Sequence, residues 1–531
     1  SFGDSLDRVI VAASGGAIDM LARTGGIDFA AGTTLISDTG IGNAGAISLR
    51  APNGAINFAG TLNPGLNGAR QGDFIFDSGT GGFDFAAFVA NYGTGFGGKI
   101  SVRTGAGNLD LNAGQALKAR SLSLTADGGS ITVAGSIDTS GVDVSSLSLT
   151  DAKNAAVNGG AISLYGLSGV TLTSTARLDT HTTGFAAGDP RSASAGDVTI
   201  GIGNVGGAIT IASGAVVDVG ARRTQAAQAA GLPANRLVAE FAKEPGTLVD
   251  RTVYRFVEAD KGGDISLRAP LIGAAMDQVD ISLPSQGAFV GANSVQVEAY
   301  RSFDLDAIAV TPGVSGVTAT ASGVVLDPSA DDAGAYGSNF LSGDFVMAGG
   351  LPSISHFIRN FSVSARDGSS FTGLRLRPGV DLLSSGTITL NSAWNLAAAS
   401  VDEQAAFNAG YLQLIPQLGN HASGYGLNSA GTPYYSVVAG QEGAMLADRN
   451  VTNFYYRVGG NAGGEAPVIR LRGASDVTVA ASITDGFFVF RDRSDEAYAS
   501  YQLGGGNRVY DPAVRIVCGT ISNSDCQGLD Q

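Results

Sequence analysis

Three-residue units recur along this chain and constrain its fold more than any other feature of the sequence. Each unit has an apolar residue, a small polar residue and a second apolar residue, the alternation of a short β-strand with one buried face. The units are Ile47–Leu49, Ile56–Phe58, Ile100–Val102, Leu109–Leu111, Leu122–Leu124, Ile131–Val133, Ile162–Leu164, Val170–Leu172, Val198–Ile200, Ile209–Ile211, Val217–Val219, Ile265–Leu267, Ile388–Leu390 and Val477–Val479. The sequence therefore predicts many short strands.

The interval between units indicates how these strands connect. The pairs separated by nine residues are Ile18 and Ile27, Ile47 and Ile56, Ile100 and Leu109, and Leu122 and Ile131. A glycine usually comes just before the second unit, and we expect it to turn the chain with a positive φ. Nine residues are too few for a helical crossover, and strands of about three residues are too short for a sturdy antiparallel meander. A coil, in which each turn is itself the crossover, satisfies both constraints.

We therefore expect an all-β fold, a right-handed parallel β-helix (β-solenoid) with short helical and loop insertions. Successive turns would stack about 4.8 Å apart, with Ile, Leu and Val inside and Ser, Thr and Asp outside. Two or three strands per turn imply roughly 20 to 27 residues per turn, and the crossover rule favours the right hand. A β-sandwich and an up-and-down barrel are the competing all-β architectures.

Composition excludes several other classes of protein. The 78 glycines are about twice the usual share of roughly 7%, whereas the 15 prolines fall below the usual share of about 5%, which excludes collagen. The chain is 44% hydrophobic and 15% charged, so it can offset the entropy of ordering. A net charge of -15 disfavours nucleic acid and anionic membrane surfaces. No apolar run reaches the roughly 18 residues that would embed it in a membrane.

Two stretches interrupt the repeat and divide the chain. We expect solenoid repeats at 1–220, a partly helical insertion at 221–262, a solenoid with loops at 263–400, a Tyr-rich insertion outside the coil at 401–462, and a solenoid with a terminal Cys loop at 463–531. In the first insertion, Pro233 is placed to open a helix through Asn235, Leu237, Val238 and Phe241.

The second insertion is the candidate contact surface. Ser400 and Glu403 have the spacing of a capping box before a short helix that Gly410 would close. Insertions project from one side of a solenoid, often the binding side. Exposed aromatic rings could stack on sugars or pack on protein, although burial against the coil is the alternative. The candidate contact residues are Tyr434, Tyr435, Tyr455 and Tyr456.

Several motifs resemble those of a known family. They are the Gly-Gly-Ala-Ile units at 159–164 and 206–211, the run Val468–Phe487, and the segment Tyr435–Gly440 followed by Ala447 and Asp448. At these residues the chain resembles the filamentous haemagglutinin family of large exoproteins, the passengers of two-partner secretion. The resemblance implies a right-handed parallel β-helix and a place in the medium or on the outer surface of a Gram-negative bacterium. The family's amino-terminal secretion domain is not recognisable, so an interior or carboxyl-terminal portion fits best.

The resemblance also implies a function and partners. We expect a surface fibre or adhesin that mediates adhesion or aggregation through its lateral surface, with no enzymatic activity and no cofactor. Its partners would be an outer-membrane exporter during secretion and a protein or glycan on a host or neighbouring cell. A leader is absent after Ser1, so we expect any secretion signal to lie outside these residues. A self-assembling extracellular filament subunit is one alternative, and a β-helix polysaccharide lyase or hydrolase is another.

Residues that could carry chemistry are few. Only His181, His356 and His421 could serve a nucleophilic triad or a metal site, and they are far apart in sequence. Asp331 with Asp332, and the charged run 491–496, are the concentrated carboxylates that a glycoside-cleaving enzyme would need. We expect both to be solvated loops, and we assign no catalytic, cofactor-binding or metal-binding residue.

Three remaining patterns have structural explanations. Gly201, Gly203 and Gly206 match the dinucleotide-binding spacing, but a further strand follows where that motif needs a helix. Calcium-binding nonapeptides do not occur in series, although scattered outward Asp residues are a weak alternative for calcium. Cys518 and Cys526 are the only cysteines, and their spacing in an extracellular chain predicts a disulfide that closes a small terminal loop.

Overall fold

A computed structural model describes residues 15–484 of the chain with internal gaps. The gaps are residues 38–43, 64–71, 94, 144–146, 148–154, 186–190, 233–235, 244–249, 285–286, 329–337, 348, 397–398, 402, 415–434, 439, 442–443, 446–447, 449 and 461–463. The chain forms two compact units, Ser1–Glu298 with Ser364–Arg375, and Ala299–Val363 with Leu376–Gln531. We call these units 1 and 2.

Short strands dominate the described chain. The first are β1 Ile18–Leu21, β2 Ile27–Phe29, β3 Thr34–Ile36, β4 Ile47–Ala51, β5 Ile56–Phe58, β6 Thr61–Asn63, β7 Phe74–Ser78, β8 Lys99–Thr104, β9 Leu109–Leu111, β10 Ala116–Lys118, β11 Ser121–Ala126, β12 Ser130–Val133, β13 Ser136–Asp138, β14 Ile162–Gly166, β15 Gly169–Leu172, β16 Arg177–Asp179, β17 Val198–Ile202, β18 Ala208–Ile211, β19 Val216–Asp218, β20 Arg236–Lys243 and β21 Asp250–Val257.

The later strands are β22 Asp264–Pro270, β23 Gln278–Val279, β24 Ile281–Ser282, β25 Phe289–Val290, β26 Ser294–Asp304, β27 Val317–Thr320, β28 Gly323–Leu326, β29 Ser364–Ala365, β30 Arg375–Ser384, β31 Thr387–Leu390, β32 Trp394–Asn395, β33 Ala399–Val401, β34 Leu412–Leu414, β35 Tyr435–Val437, β36 Thr452–Phe454, β37 Val468–Gly473, β38 Val477–Val479 and β39 Ile483–Thr484. The helices are α1 Phe85–Tyr92, α2 Arg222–Ala229, α3 Leu305–Ala309, α4 Ile354–Arg359, α5 Glu403–Asn408 and the 3₁₀ helix Val458–Gly460.

Parallel strands from successive turns form long sheets. The longest sheet has eleven strands in the order β1, β4, β7, β8, β11, β14, β17, β22, β26, β30 and β37. In unit 1 the turns also build a sheet of β9, β12, β15, β18 and β24 and a sheet of β10, β13, β16, β19 and β25. Each regular turn therefore supplies one strand to each of three sheets. The predicted all-β parallel β-helix is confirmed.

The turns vary in length because loops and insertions leave the coil between strands. One turn runs from Ile100 to its register partner Leu122, which matches the predicted roughly 20 to 27 residues. The turn from Val198 to Ile265 is much longer because it carries helix α2 and strands β20 and β21. Insertions therefore lengthen turns without breaking the pairing of the first sheet.

The core is a set of stacked apolar side chains, with at least one stack per sheet. In the first sheet of unit 1 one stack contains Ile100, Leu122, Ile162, Val198 and Ile265, all buried and in register. In the second it contains Leu109, Ile131, Val170, Ile209 and Ile281. The small polar residue of each unit points the other way, as the pleat requires. Ile, Leu and Val therefore lie inside, as the repeat predicts.

The glycines before the strands correct one expectation. Gly107 has the predicted positive φ of 77°, but Gly26, Gly54 and Gly129 do not. At Gly54 a Cβ would lie 2.2 Å from the carbonyl oxygen of Gly25, one turn away, and at Gly129 it would lie 2.0 Å from that of Gly107. Adjacent turns approach too closely there for a side chain. Close packing between turns, not turn conformation, explains most of these glycines.

The first insertion differs from the predicted helix. Pro233 and Asn235 lie outside the described residues, and Leu237, Val238 and Phe241 belong to β20, which pairs antiparallel with β21 from Arg236↔Val257 to Lys243↔Asp250. The helix of this insertion is α2, which lies earlier in the chain. The partner strand β21 is rich in β-branched and aromatic residues, which favour the hairpin. The sequence of β20 alone does not reveal this partner.

The second insertion contains the predicted short helix, α5. Gly410 closes it with a φ of 82°, and the N–H groups of Gly410 and Tyr411 donate to the carbonyls of Phe407 and Ala406, which is a Schellman motif. The helix begins at Glu403, and Ser400 lies in β33, where it pairs with Asn453 of β36. The end of this helix was predicted correctly and its start was not.

Candidate functional site

The Tyr-rich insertion of unit 2 has its own small core. Strands β33 and β36 pair antiparallel, as do β34 and β35, and α5 packs against β34. Four buried residues, Ala406, Leu412, Met445 and Val451, form the centre of this core. The insertion is therefore a packed element outside the parallel sheets.

Tyr456 lies in the interior and corrects a prediction. It is 1% exposed, its hydroxyl donates to the carbonyl of Leu341 at 2.9 Å, and it accepts from Nε1 of Trp394 at 3.0 Å. Burial raises the pKa of the Tyr456 phenol, so the ring stays neutral. The ring of Trp394 meets it edge to face. Tyr456 therefore stabilises unit 2 and offers no contact surface.

Tyr455 remains a candidate contact residue, beside a cluster of charged side chains. Its half-buried ring lies 5.7 Å from the guanidinium of Arg359, which pairs with Asp344 at 2.6 Å. Asp344 also contacts Nδ1 of His356 at 2.6 Å. Partial burial disfavours the carboxylate of Asp344, but the hydrogen bond to His356 and the charge of Arg359 outweigh it and lower its pKa. The cluster therefore presents a fixed ionic surface near Tyr455.

The structure says less about Tyr434 and Tyr435, the two other candidate contact residues. Tyr435 begins β35 and pairs with Leu414 of β34. Tyr434 lies outside the described residues. The candidate surface therefore reduces to Tyr455 and the backbone position of Tyr435.

Three carboxylates in unit 1 lie on successive turns and accept hydrogen bonds from the backbone that follows them. Asp138, Asp179 and Asp218 are register partners on successive turns, and each accepts a hydrogen bond from the backbone two residues later. Their side-chain partners are Lys118, His181 and Arg222. Burial disfavours the Asp138 carboxylate, but hydrogen bonds from Ser140 and the charge of Lys118 outweigh it and lower its pKa. These outward Asp residues therefore fix the backbone that follows β13, β16 and β19.

Within the described part of the chain, no group of three or more His, Cys, Asp or Glu side chains could hold a metal ion. The glycine pattern at 201–206 connects β17 to β18, a strand, so the dinucleotide motif is ruled out as expected. Asp331, Asp332, His421, the run 491–496 and the cysteines at 518 and 526 lie outside the described residues. Among the residues that are described, no helix is long and apolar enough to cross a membrane.

A cavity in unit 1 is a site that the sequence reasoning missed. The third turn supplies β7 to the first sheet, and then α1 stands where the second and third strands would lie. The cavity has a volume of about 260 Å³ and opens beside α1. Its aromatic lining consists of Phe58, Phe74, Phe76, Phe83, Phe88 and Tyr92. We call this the aromatic pocket.

Local sequence explains how α1 forms and is held. Asp84 caps the helix, since its Oδ1 accepts from the N–H of Ala87 at 2.8 Å. Nε2 of Gln115 donates to the carbonyl of Ala86 at 2.7 Å, and the N–H of Leu62 donates to the hydroxyl of Tyr92 at 3.2 Å. The helix is thus tied to the turns on both sides. The signal in the sequence was the missing nine-residue interval between β7 and β8.

Comparisons with protein-family models, with curated proteins and with solved structures found no match for this chain. What the chain binds must therefore be inferred from its own residues.

Proposed function

We propose that this chain is part of a secreted surface fibre or adhesin of a Gram-negative bacterium, which binds through its outer surface and has no enzymatic activity. The observation that carries the proposal is the parallel β-helix, in which buried stacks form the scaffold and polar rows face outward. The Gly-Gly-Ala-Ile units resemble passenger repeats, and they lie where β14 and β18 begin. An outer-membrane exporter would carry the chain to the surface.

The partner we propose is a protein or glycan on a host or neighbouring cell. The second insertion is the favoured contact region, because it packs as a separate element and presents Tyr455 beside an ionic cluster. An aromatic ring next to fixed charges can stack on a sugar or pack against a protein.

Attachment of the labelled, purified chain to cells tests this function. We expect saturable binding to epithelial or bacterial cells, reduced by an excess of unlabelled chain and weakened by Tyr455→Ala. Periodate or protease treatment of the cells distinguishes a glycan from a protein. Binding that never saturates on either cell type would refute the adhesin. Release of reducing or unsaturated products from acidic polysaccharides would refute the absence of enzymatic activity.

A further inference from the structure

The aromatic pocket arises because a helix replaces strands in a stack of fixed spacing. Strands β7 and β8 pair directly, so the turn that carries α1 lies between the turn of β5 and β6 and the turn of β9. Helix α1 packs against β9, and the pocket lies on the side of β5 and β6, lined by Ile56, Phe58 and Leu62. The pocket therefore occupies the space that α1 leaves beside β5 and β6.

The pocket is large enough for a small aromatic ligand. At about 260 Å³ it exceeds the ~150 Å³ apolar cavities that take up benzene. Its rings already pack on each other, with centroids 4.5 Å apart for Phe74 and Phe88 and 4.3 Å apart for Phe76 and Phe83. A planar aromatic ring can extend such an arrangement at the same distances.

The polar groups at the pocket restrict the charge of the ligand. Asp84 and Asn91 are exposed residues that line it, and Oδ1 of Asp84 accepts from the N–H of Ala87. None of the described residues that line the pocket is Lys, Arg or His. An anionic ligand would therefore be repelled by the carboxylate of Asp84, whereas a neutral or cationic ligand would not.

We propose that the aromatic pocket binds a small neutral or cationic aromatic molecule, with its ring among the Phe side chains and a donor group toward Asp84. This site is independent of the proposed adhesive function, because it lies in unit 1 and does not involve the Tyr-rich insertion of unit 2.

Two fluorescent probes that share an anilinonaphthalene skeleton test the proposal on the full chain. N-phenyl-1-naphthylamine is neutral, and 8-anilinonaphthalene-1-sulfonate carries one negative charge. We expect saturable binding of the neutral probe and at least tenfold weaker binding of the sulfonate. Equal or tighter binding of the sulfonate, or no saturable binding of the neutral probe, would overturn the proposal.

Matched variants on α1 locate the binding. Ala87 lines the pocket, whereas Ala90 is also exposed on the same helix and is not among the residues that line it. We expect Ala87→Phe to fill the pocket and weaken binding of the neutral probe at least tenfold, and Ala90→Phe to leave it within about twofold. Circular dichroism confirms that both variants fold. Equal affinities in the two variants would place the probe elsewhere and overturn the proposal.

Asp84→Asn tests the electrostatic step separately. Asn caps a helix about as well as Asp, so the fold of α1 is retained. We expect the sulfonate to bind at least threefold more tightly to Asp84→Asn and the neutral probe to change by less than about twofold. A sulfonate affinity that does not rise would refute the role of Asp84 in selecting the ligand.

Discussion

Single residues that face an adjacent turn limit how closely the turns can stack. Gly160 precedes β14, and a Cβ at this position would lie 1.5 Å from the carbonyl oxygen of Arg120. Gly196 and Gly263 repeat the contact, since a Cβ at each would lie 2.1 and 2.0 Å from the carbonyls of Gly160 and Gly196. The second glycine of the Gly-Gly-Ala-Ile unit is therefore required by the neighbouring backbone.

Gly160→Ala should consequently destabilise unit 1. We expect a loss of about 1 to 3 kcal/mol, because the backbone of two turns must move apart to admit the methyl group. Gly25→Ala is the control, since a Cβ there meets nothing within 4 Å and its φ is not positive. We expect the control to be neutral or to stabilise by about 0.4 to 1 kcal/mol. Midpoints of urea unfolding measure both, and similar shifts would contradict the close-packing explanation.

Asp306 gives one part of the fold a dependence on pH. The N–H of Ser385 and the hydroxyl of Ser384 donate to its carboxylate, each at 2.7 Å, and these bonds lower the pKa of Asp306 below its ordinary 3.8. The carboxylate therefore stabilises unit 2 above pH 3.8, and this contribution is lost as the pH falls through the lower folded value.

Asp306→Asn should thus lower the urea midpoint at pH 7, with a difference from the wild type that shrinks as the pH falls below 3.8. The amide keeps the shape of the side chain, but it removes the charge and replaces one acceptor oxygen with an NH2 donor. In a Ser384→Ala background the effect at pH 7 should be smaller, because one donor is already missing. A difference that stays constant across this pH range would contradict the ionised, hydrogen-bonded state.

The inward residues of the coil could be predicted residue by residue, and other positions could not. Ile131 and Val133 face inward because the local alternation alone sets their direction. Tyr456 looked like a surface residue because its partners Trp394 and Leu341 are distant in sequence. Gly54 was assigned a turn conformation because its neighbour, the Gly25 carbonyl, belongs to another turn. Local pattern predicts direction, and long-range contacts decide burial and spacing.

At the scale of elements, the hairpin of β20 and β21 is an addition to a complete coil. Strand β17 pairs directly with β22, so the first sheet does not need the hairpin between them. The register partners Arg236 and Val257 stand side by side at its base. An isolated two-stranded hairpin has marginal stability in water, so it adds little to the fold.

Replacement of residues 236–257 by a short Gly-Ser linker should change the free energy of unfolding by less than about 1 kcal/mol, because closing a short loop costs little. Arg223→Ala is the contrasting variant. It leaves the fully buried carboxylate of Asp260 without its cation, and we expect a loss of about 3 to 5 kcal/mol. Urea unfolding compares them, and a larger loss from the hairpin deletion would show that the hairpin supports the coil.

Elements were predicted well where the repeat is regular and poorly where it stops. Helix α5 was found because Gly410 signals its end, whereas β20 was taken for a helix because its strand partner β21 lies beyond a loop. Helix α1 was missed although Asp84 and the run of Phe residues after it mark a capped apolar helix. The break in the nine-residue interval after β7 is the sequence signal for α1.

At the scale of the whole molecule, the fold is a series of contacts between neighbouring turns. Leu124 of β11 illustrates this, since it is 1% exposed and its register partners are Val102 of β8 and Leu164 of β14. A destabilising substitution in one turn should therefore affect mainly that turn and its two neighbours, as in other repeat architectures.

Leu124→Ala tests this locality. Truncation of a buried Leu costs about 2 to 5 kcal/mol, and in a coil this loss falls on the turn and its two neighbours. We expect faster amide hydrogen exchange in peptides that contain β8, β11 and β14, and unchanged exchange in those that contain β1 and β22. Ser123→Ala, on the outward face of the same strand, is the control and should change exchange little. Faster exchange throughout unit 1 would mean that its turns unfold as one cooperative body, and the stacked turns would then share a single stability.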